Sequence, residues 1–447
     1  MGDDSLRVKR TVPVGLVAAS VVLVAACSSQ GDGASETNDD PATVVTTTAQ
    51  PGAAETTTTD QPGAAETTTP PQPAVELVWS RVAHDESVFG GNATQRLRAV
   101  AASQSGLVAV GFDTSGGDFD AAVWTSPDGV VWSRVAHDES VFGGNDTQTM
   151  RSVAVSASGF VAVGNDKSGG DFEAAVWTSA DGVVWSRVAH DELAFGGPGN
   201  QQMDSVAATG SGFVAVGLDQ LDDDIDAAVW TSPDGVVWSR VPHNEAVFGG
   251  DATQEMNSVV ATDSGFIAVG EDWSGGDPDA AVWTSPDGVV WSRVAHDEAV
   301  FGGDDSQKTM SVTAGGSGFV AVGMDKSGGD FDAAVWTSPD GVVWSRVAHD
   351  EAVFGGQENQ QMDDVVLLAG FGFVAVGLEE SNEDWDTAVW TSPDGVVWSR
   401  VPHDEVVFGG EANQQAVSVV AWESGVVAVG DEESGGDFDA AVWAVVR

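Results

Sequence analysis

The string WTSPDGVVWSRV recurs along this chain at an almost fixed interval, six times in full with small variations and once in part. Its second tryptophan falls at Trp79, Trp132, Trp185, Trp238, Trp291, Trp344 and Trp398, in five steps of 53 residues and one of 54. Its first tryptophan, with one further copy near the C-terminus, keeps the same beat at Trp124, Trp177, Trp230, Trp283, Trp336, Trp390 and Trp443. A period near 50 with several short strands per unit is the signature of sheets stacked in series.

Alternation and turn residues place four strands in each unit. In the second unit they are expected at about 147–155, 159–164, 173–178 and 183–188. The turn between the first and second strands holds Ser158-Gly159, where glycine permits positive φ. The turn between the third and fourth reads Ser-Pro-Asp-Gly in most units, as at 126–129, which suits a type I turn with a bulge.

The first unit begins halfway through the repeat, at 76–82, and the last stops halfway, at 439–447. Each supplies what the other lacks. A row of sheets left open would expose unpaired strand edges, and no atypical capping unit is visible. The expected fold is therefore all-β: a seven-bladed β-propeller of four-stranded antiparallel blades over 76–447, closed by the N-terminal strand completing the last blade.

The Ser-Pro-Asp-Gly-Val-Val-Trp turn resembles the Asp-box, or BNR repeat, of sialidase-like propellers, with Ser126, Asp128, Gly129 and Trp132, or Ser232, Asp234, Gly235 and Trp238, in the boxed places. One residue is missing between Asp and Gly. The unit order is also similar to kelch, a glycine pair followed by spaced aromatics. Both resemblances imply a bladed propeller, and the first implies that the boxed Ser and Asp brace a turn far from any catalytic face. In sialidases three arginines surround the substrate carboxylate, beside a Tyr–Glu nucleophile pair and an Asp acid. This chain has no tyrosine, so that active site does not carry over.

Ahead of the repeats, Arg7, Lys9 and Arg10 precede an apolar stretch over 12–26 that is short for a membrane span. It ends in Val24-Ala25-Ala26-Cys27, which resembles the bacterial lipobox, so residues 1–26 are expected to be a lipoprotein signal peptide and Cys27 the lipidated residue. Cys27 is the single cysteine, so no internal disulfide can form. Acyl chains there would anchor the chain to the outer leaflet of the cytoplasmic membrane, at the cell surface. Residues 27–75 are rich in Thr, Ala, Pro and Gly and contain a near-duplicate at 50–58 and 61–69. They read as a disordered tether with an end-to-end distance of roughly 40 Å.

Acids outnumber bases 69 to 17, a formal charge of −52. Such a surface repels nucleic acid and anionic lipid and favours cationic partners or metal ions. Solubility, a salty habitat and cation binding each account for it. Much of the acid recurs in two connections of the unit, both expected on one face. The loop between second and third strands carries Asp113, Asp118 and Asp120, or Asp325, Asp330 and Asp332. These hard oxygens, with glycines between, would suit Ca²⁺ as the one candidate cofactor. The connection between units carries His-Asp-Glu or a variant, with histidines at 84, 137, 190, 243, 296, 349 and 403. A transition metal would need further ligands arriving from elsewhere, so a loop-bracing imidazole hydrogen bond is the simpler role. Phe89 and its counterparts are expected to wedge between blades.

Gln95, Gln148, Gln201, Gln254, Gln307, Gln360 and Gln414 open the first strand of each unit, the innermost of a blade, and closure would set them as a polar ring at the central opening. Catalysis needs unlike groups, so the informative positions are those where units differ: Arg96, Arg98, Arg151, Asp204, Lys308 and Asp363. No zinc-protease helix, nucleophile elbow or phosphate-binding loop appears. Two readings remain. One is a monomeric, non-catalytic surface module binding a glycan, cationic protein or cation. The other is a glycan-processing enzyme using Asp204 and Asp363 around an arginine-bound anionic sugar. Near-identical units favour the first.

Overall fold

The computed structural model describes residues 77–445, apart from 222, 223, 251, 317, 357, 382, 383, 411, 423 and 424. Cys27, the signal-like segment and the Thr-rich stretch lie outside the described residues.

The described residues form seven sheets, each of four antiparallel strands. In the second complete blade these are Gln148–Ser156, Gly159–Asp166, Glu173–Ser179 and Trp185–Arg187, close to the expected ranges. The outermost strand starts later than expected. Val183 and Val184 stay in the turn, where their amides donate to Asp181 Oδ1 at 2.9 and 2.8 Å. Ser179 Oγ accepts from Gly182 N at 2.9 Å, and Trp185 Nε1 donates to Gly182 O at 2.8 Å. The boxed residues thus brace the hairpin.

Closure occurs as the split unit requires. Ser80–Arg81 is the outermost strand of the sheet built from Gln414–Trp422, Gly425–Ser434 and Asp437–Val445. Ser80 pairs with Ala444 and Arg81 with Trp443, and Val82 N donates to Val442 O at 2.9 Å. The innermost strands touch in a closed cycle, with Gln414–Trp422 meeting Gln95–Ser103. Among the described residues, an apolar cluster joins every pair of neighbouring sheets.

The core lies between blades. Trp124 is fully buried, and its Nε1 donates 2.6 Å to Val88 O in the connection leading into its blade. Phe89 joins Leu97 and Trp124 of the first complete blade to Val427 and Val429 of the last, as a wedge would. Every innermost strand also carries a one-residue bulge. In the second blade the register shifts between Met150 and Ser152, which leaves Arg151 as the extra residue. Gly164 faces the residue before the bulge, and a Cβ there would sit 1.9 Å from Thr149 O. Glycine is what lets the two strands approach.

Candidate functional site at the central opening

The seven glutamines do not border the opening. Each is 0–3% exposed, inside its own blade. Gln95 Nε2 donates to Asp113 Oδ1 at 2.9 Å and to Ser115 Oγ at 3.0 Å, while its Oε1 is buried without a partner. The other oxygen of Asp113 takes the guanidinium of Arg134, which lies 5.4 Å from the Trp124 ring centroid. Gln–Asp–Arg–Trp is thus a cross-blade brace. Asp325 is held the same way by Gln307 and Arg346. Burial opposes ionisation of Asp113, but hydrogen bonds from Gln95 and Ser115 and the Arg134 charge hold its carboxyl below the ordinary range.

This divides the acid set expected to take Ca²⁺. Asp113 and Asp325 have both oxygens engaged by protein donors. Asp120 and Asp332 lie instead beside His137 and His349, at 4.0 and 3.9 Å. Asp118 and Asp330 stay half-buried in the loop between. The intervening glycines let the loop turn, and the turn sends its first and last acids to different partners.

What faces the opening is the bulge position and its neighbours. The seven bulge residues are Arg98, Arg151, Asp204, Asn257, Met310, Asp363 and Val417, no two consecutive blades being alike except the first pair. A bulge withdraws a residue from the ladder and re-aims its side chain. Two further columns vary in the same way: Arg96, Thr149, Gln202, Glu255, Lys308, Gln361 and Gln415 after the glutamine, and their partners on the second strand, from Phe112 to Asp431. Variation therefore collects on the inner wall of a ring that is otherwise repetitive.

These side chains link neighbouring blades. Arg151 Nη1 lies 3.2 Å from Asp204 Oδ1, which also accepts from Gln202 Nε2 at 2.7 Å. Arg96 Nε lies 3.8 Å from Asp431 Oδ1, and its guanidinium sits 3.8 Å from the Phe438 centroid. Lys308 Nζ meets Glu271 Oε2 at 2.7 Å. Asp363 accepts from Gln415 Nε2 at 3.0 Å and from Gln361. Burial pushes the Asp363 carboxyl up to about 7, and burial with the Glu271 and Asp204 charges pushes Glu255 up to about 7. Burial also raises Asp204, against the pull of Arg151.

Arg98 differs from the rest. Among the described residues it has neither an ion pair nor a hydrogen bond; its guanidinium lies 5.4 Å from the Phe112 centroid. Burial, and then the like charges of Arg151 and Arg96, depress its pKa, with Asp431 and Asp363 pulling the other way from a distance. Beside it opens a cavity of about 360 Å³ bordered by Arg151, Phe112, Phe119, Phe172 and Gln202. The expected set Arg98 and Arg151 is brought together here; Arg96, Asp204 and Asp363 lie along the same wall. Phe112, Phe172, Gln202 and Glu255 were not singled out in the sequence, although the variable columns contain three of them. A larger cavity of about 1000 Å³ lies at the turns of the opposite mouth, bordered by Ser103, Ser156, Phe160 and Trp422 with no titratable side chain.

No family model matches the sequence, and no curated protein matches it. Among solved structures it is similar to the WD40 β-propeller domain of Doa1, at 13% identity and a TM-score of 0.45, covering 81% of this chain and 96% of that one. It is also similar to Trypanosoma rangeli sialidase in complex with sialic acid, at 12% identity and a TM-score of 0.46, covering 83% of this chain and 59% of that one. TolB from Acinetobacter baumannii matches at 12% identity and a TM-score of 0.40, covering 70% and 66%. These are distant likenesses of propeller form alone.

Proposed function

We propose that this protein is a lipid-tethered, non-catalytic binding propeller whose central opening receives a small anionic ligand, a carboxylate-bearing glycan in the first place. The observation that carries this is Arg98: among the described residues no carboxylate is in contact with its guanidinium, which lies beside an aromatic-walled cavity. A carboxylate would supply the missing hydrogen bonds, and Phe112 and Phe119, 5.0 Å apart, offer a flat apolar wall to a sugar ring. The tether and its attachment at Cys27 rest on the lipobox-like run alone, and place the module on the outer leaflet of the cytoplasmic membrane.

A glycan array with carboxylated and neutral members, read at moderate salt, tests the ligand class. Carboxylated glycans should bind selectively. Arg98→Ala should weaken them tenfold to a hundredfold, the equivalent of a charged hydrogen bond of about 1.5–3 kcal/mol. Equal retention of neutral glycans, or no effect of the substitution, contradicts the reading.

A second reading, a glycan-processing enzyme, draws on Glu255 and Asp363, whose carboxyls titrate near 7 and could serve as general acids at neutral pH. Turnover of a fluorogenic glycoside that disappears in Glu255→Gln or Asp363→Asn would favour it over simple binding.

A further inference from the structure

Each blade also carries, on its outer rim, an imidazole held between two carboxylates from different parts of the chain. His243 shows the geometry: its Nε2 is 3.2 Å from Glu245 Oε2, two residues on, and 3.9 Å from Asp226 Oδ2, at the start of the preceding third strand. The sequence offered His and Glu; the fold brings the third ligand, the one whose lack argued against a metal. Ligand atoms of this kind converge seven times among the described residues.

Three features distinguish this from an ordinary imidazole hydrogen bond. A neutral imidazole has one N–H and can satisfy one oxygen, yet two carboxylates face the same nitrogen. Asp226 Oδ1 is buried with no hydrogen-bond partner, and Asp120, 9% exposed, has none beyond the 4.0 Å approach of His137 Nε2. The glycine after the wedge phenylalanine clears a cradle for both acids. A Cβ on Gly249 would lie 2.8 Å from Glu245 Oε2 and 2.9 Å from Asp226 Oδ1, and one on Gly143 would lie 2.6 Å from Glu139 Oε2 and 3.1 Å from Asp120 Oδ1.

We infer that these His–Glu–Asp clusters are binding sites for a divalent first-row transition metal of the zinc class. One nitrogen and two carboxylate oxygens with a fourth position left to water is an accepted zinc donor set, and with bonds near 2.0–2.2 Å its ligand atoms stand about 3.3 Å apart. The 3.2 Å edge already meets that spacing; the 3.9 Å edge closes with a small movement of an exposed imidazole. The imidazole also selects against Ca²⁺ and Mg²⁺, which prefer all-oxygen shells. Five clusters, at His84, His137, His243, His296 and His349, present the Asp to Nε2. A glutamate approaches Nδ1 at His84, His190 and His403, at 3.4, 3.5 and 3.3 Å. The five share one donor geometry, an Asp oxygen and a Glu oxygen at Nε2.

The test uses the purified full chain, stripped with chelator and held in about 0.5 M NaCl so that diffuse attraction to the acidic surface is screened. Zinc chloride is titrated by calorimetry, and cobalt chloride by its visible absorption. Five equivalents of zinc should bind in one saturable class, with a tenfold excess of calcium failing to displace them. Changing Glu86, Glu139, Glu245, Glu298 and Glu351 together to Gln should abolish that class and the cobalt bands. These side chains are 70–72% exposed, so the melting temperature without metal should be unchanged. Zinc stoichiometry that survives the five substitutions, or displacement by calcium, overturns the inference.

Discussion

Removing residues 77–83 should open the ring, collapse its melting temperature and make the chain associate. The segment places Leu77 and Trp79, each 7% exposed, in a core with Val374, Phe408 and Trp443. The Trp79 and Phe408 rings meet edge to face at 6.2 Å. Losing a buried Leu and a buried Trp costs about 5–10 kcal/mol, comparable with the whole stability of a typical domain at about 5–15 kcal/mol. The truncation also strips Asp437–Val445 of its outer neighbour, leaving a hydrogen-bonding edge that recruits another chain. Light scattering behind a sizing column, with a thermal melt, reads both effects. A peptide of residues 77–83 added in trans should restore part of the lost stability. A truncated chain that stays monomeric with an unchanged melt would refute closure.

Acidification from pH 8 to pH 5 should stabilise the protein. Glu255 and Asp363 have native pKa values near 7, raised from ordinary values of 4.5 and 3.8. Between about pH 4 and 7 the native state therefore keeps two protons that the unfolded chain has released. More protons bound to the native form means stability falls as pH rises through that window, and levels off above it. Each tenfold gain in proton affinity is worth about 1.4 kcal/mol, so the two carboxyls together, discounted for solvent screening, contribute on the order of a few kcal/mol. That is a melting shift of roughly 5 °C or more. Below pH 4 the sign reverses. The turn acids Asp128, Asp181, Asp234, Asp287, Asp340 and Asp394 are held below their ordinary range by backbone amides, and protonating them releases those bonds. Melts in chelator across pH 4–9 should peak near pH 5. Glu255→Gln with Asp363→Asn should flatten the decline between 5 and 8; an equally steep decline in that variant contradicts the assignment.

Strand number, turn placement and ring closure were legible in the sequence because each is local or periodic. The Ser-Pro-Asp-Gly turn is held by bonds spanning two or three residues, and the tryptophan beat sets the blade count directly. The glutamine column was legible as a series but not in its role, because a repeated polar residue reads alike whether it lines a hole or locks a blade. What decides is Arg134 reaching Asp113 across 21 residues and the one intervening strand. The same limit hid the rim clusters: Glu139 is next-but-one to His137, but Asp120 arrives only when the hairpin folds. Arg98 and Arg151 were visible as breaks in the pattern. That they stand at bulges, beside aromatics from the next strand, was not, since a bulge depends on pairing register.

The cross-blade brace has a consequence for how such a molecule can change over generations. Gln, Asp, Arg and Trp secure five of the sheets from within, with Glu379 and Glu432 in the Asp place beside Arg400 and Arg81 in the other two, so the brace stands apart from the inner-wall residues. Recognition can thus drift at the inner wall while the brace goes on holding the strands of each blade together. Randomising positions 96, 98, 149, 151, 202 and 204 would turn the same freedom into a library of new specificities on an unaltered frame.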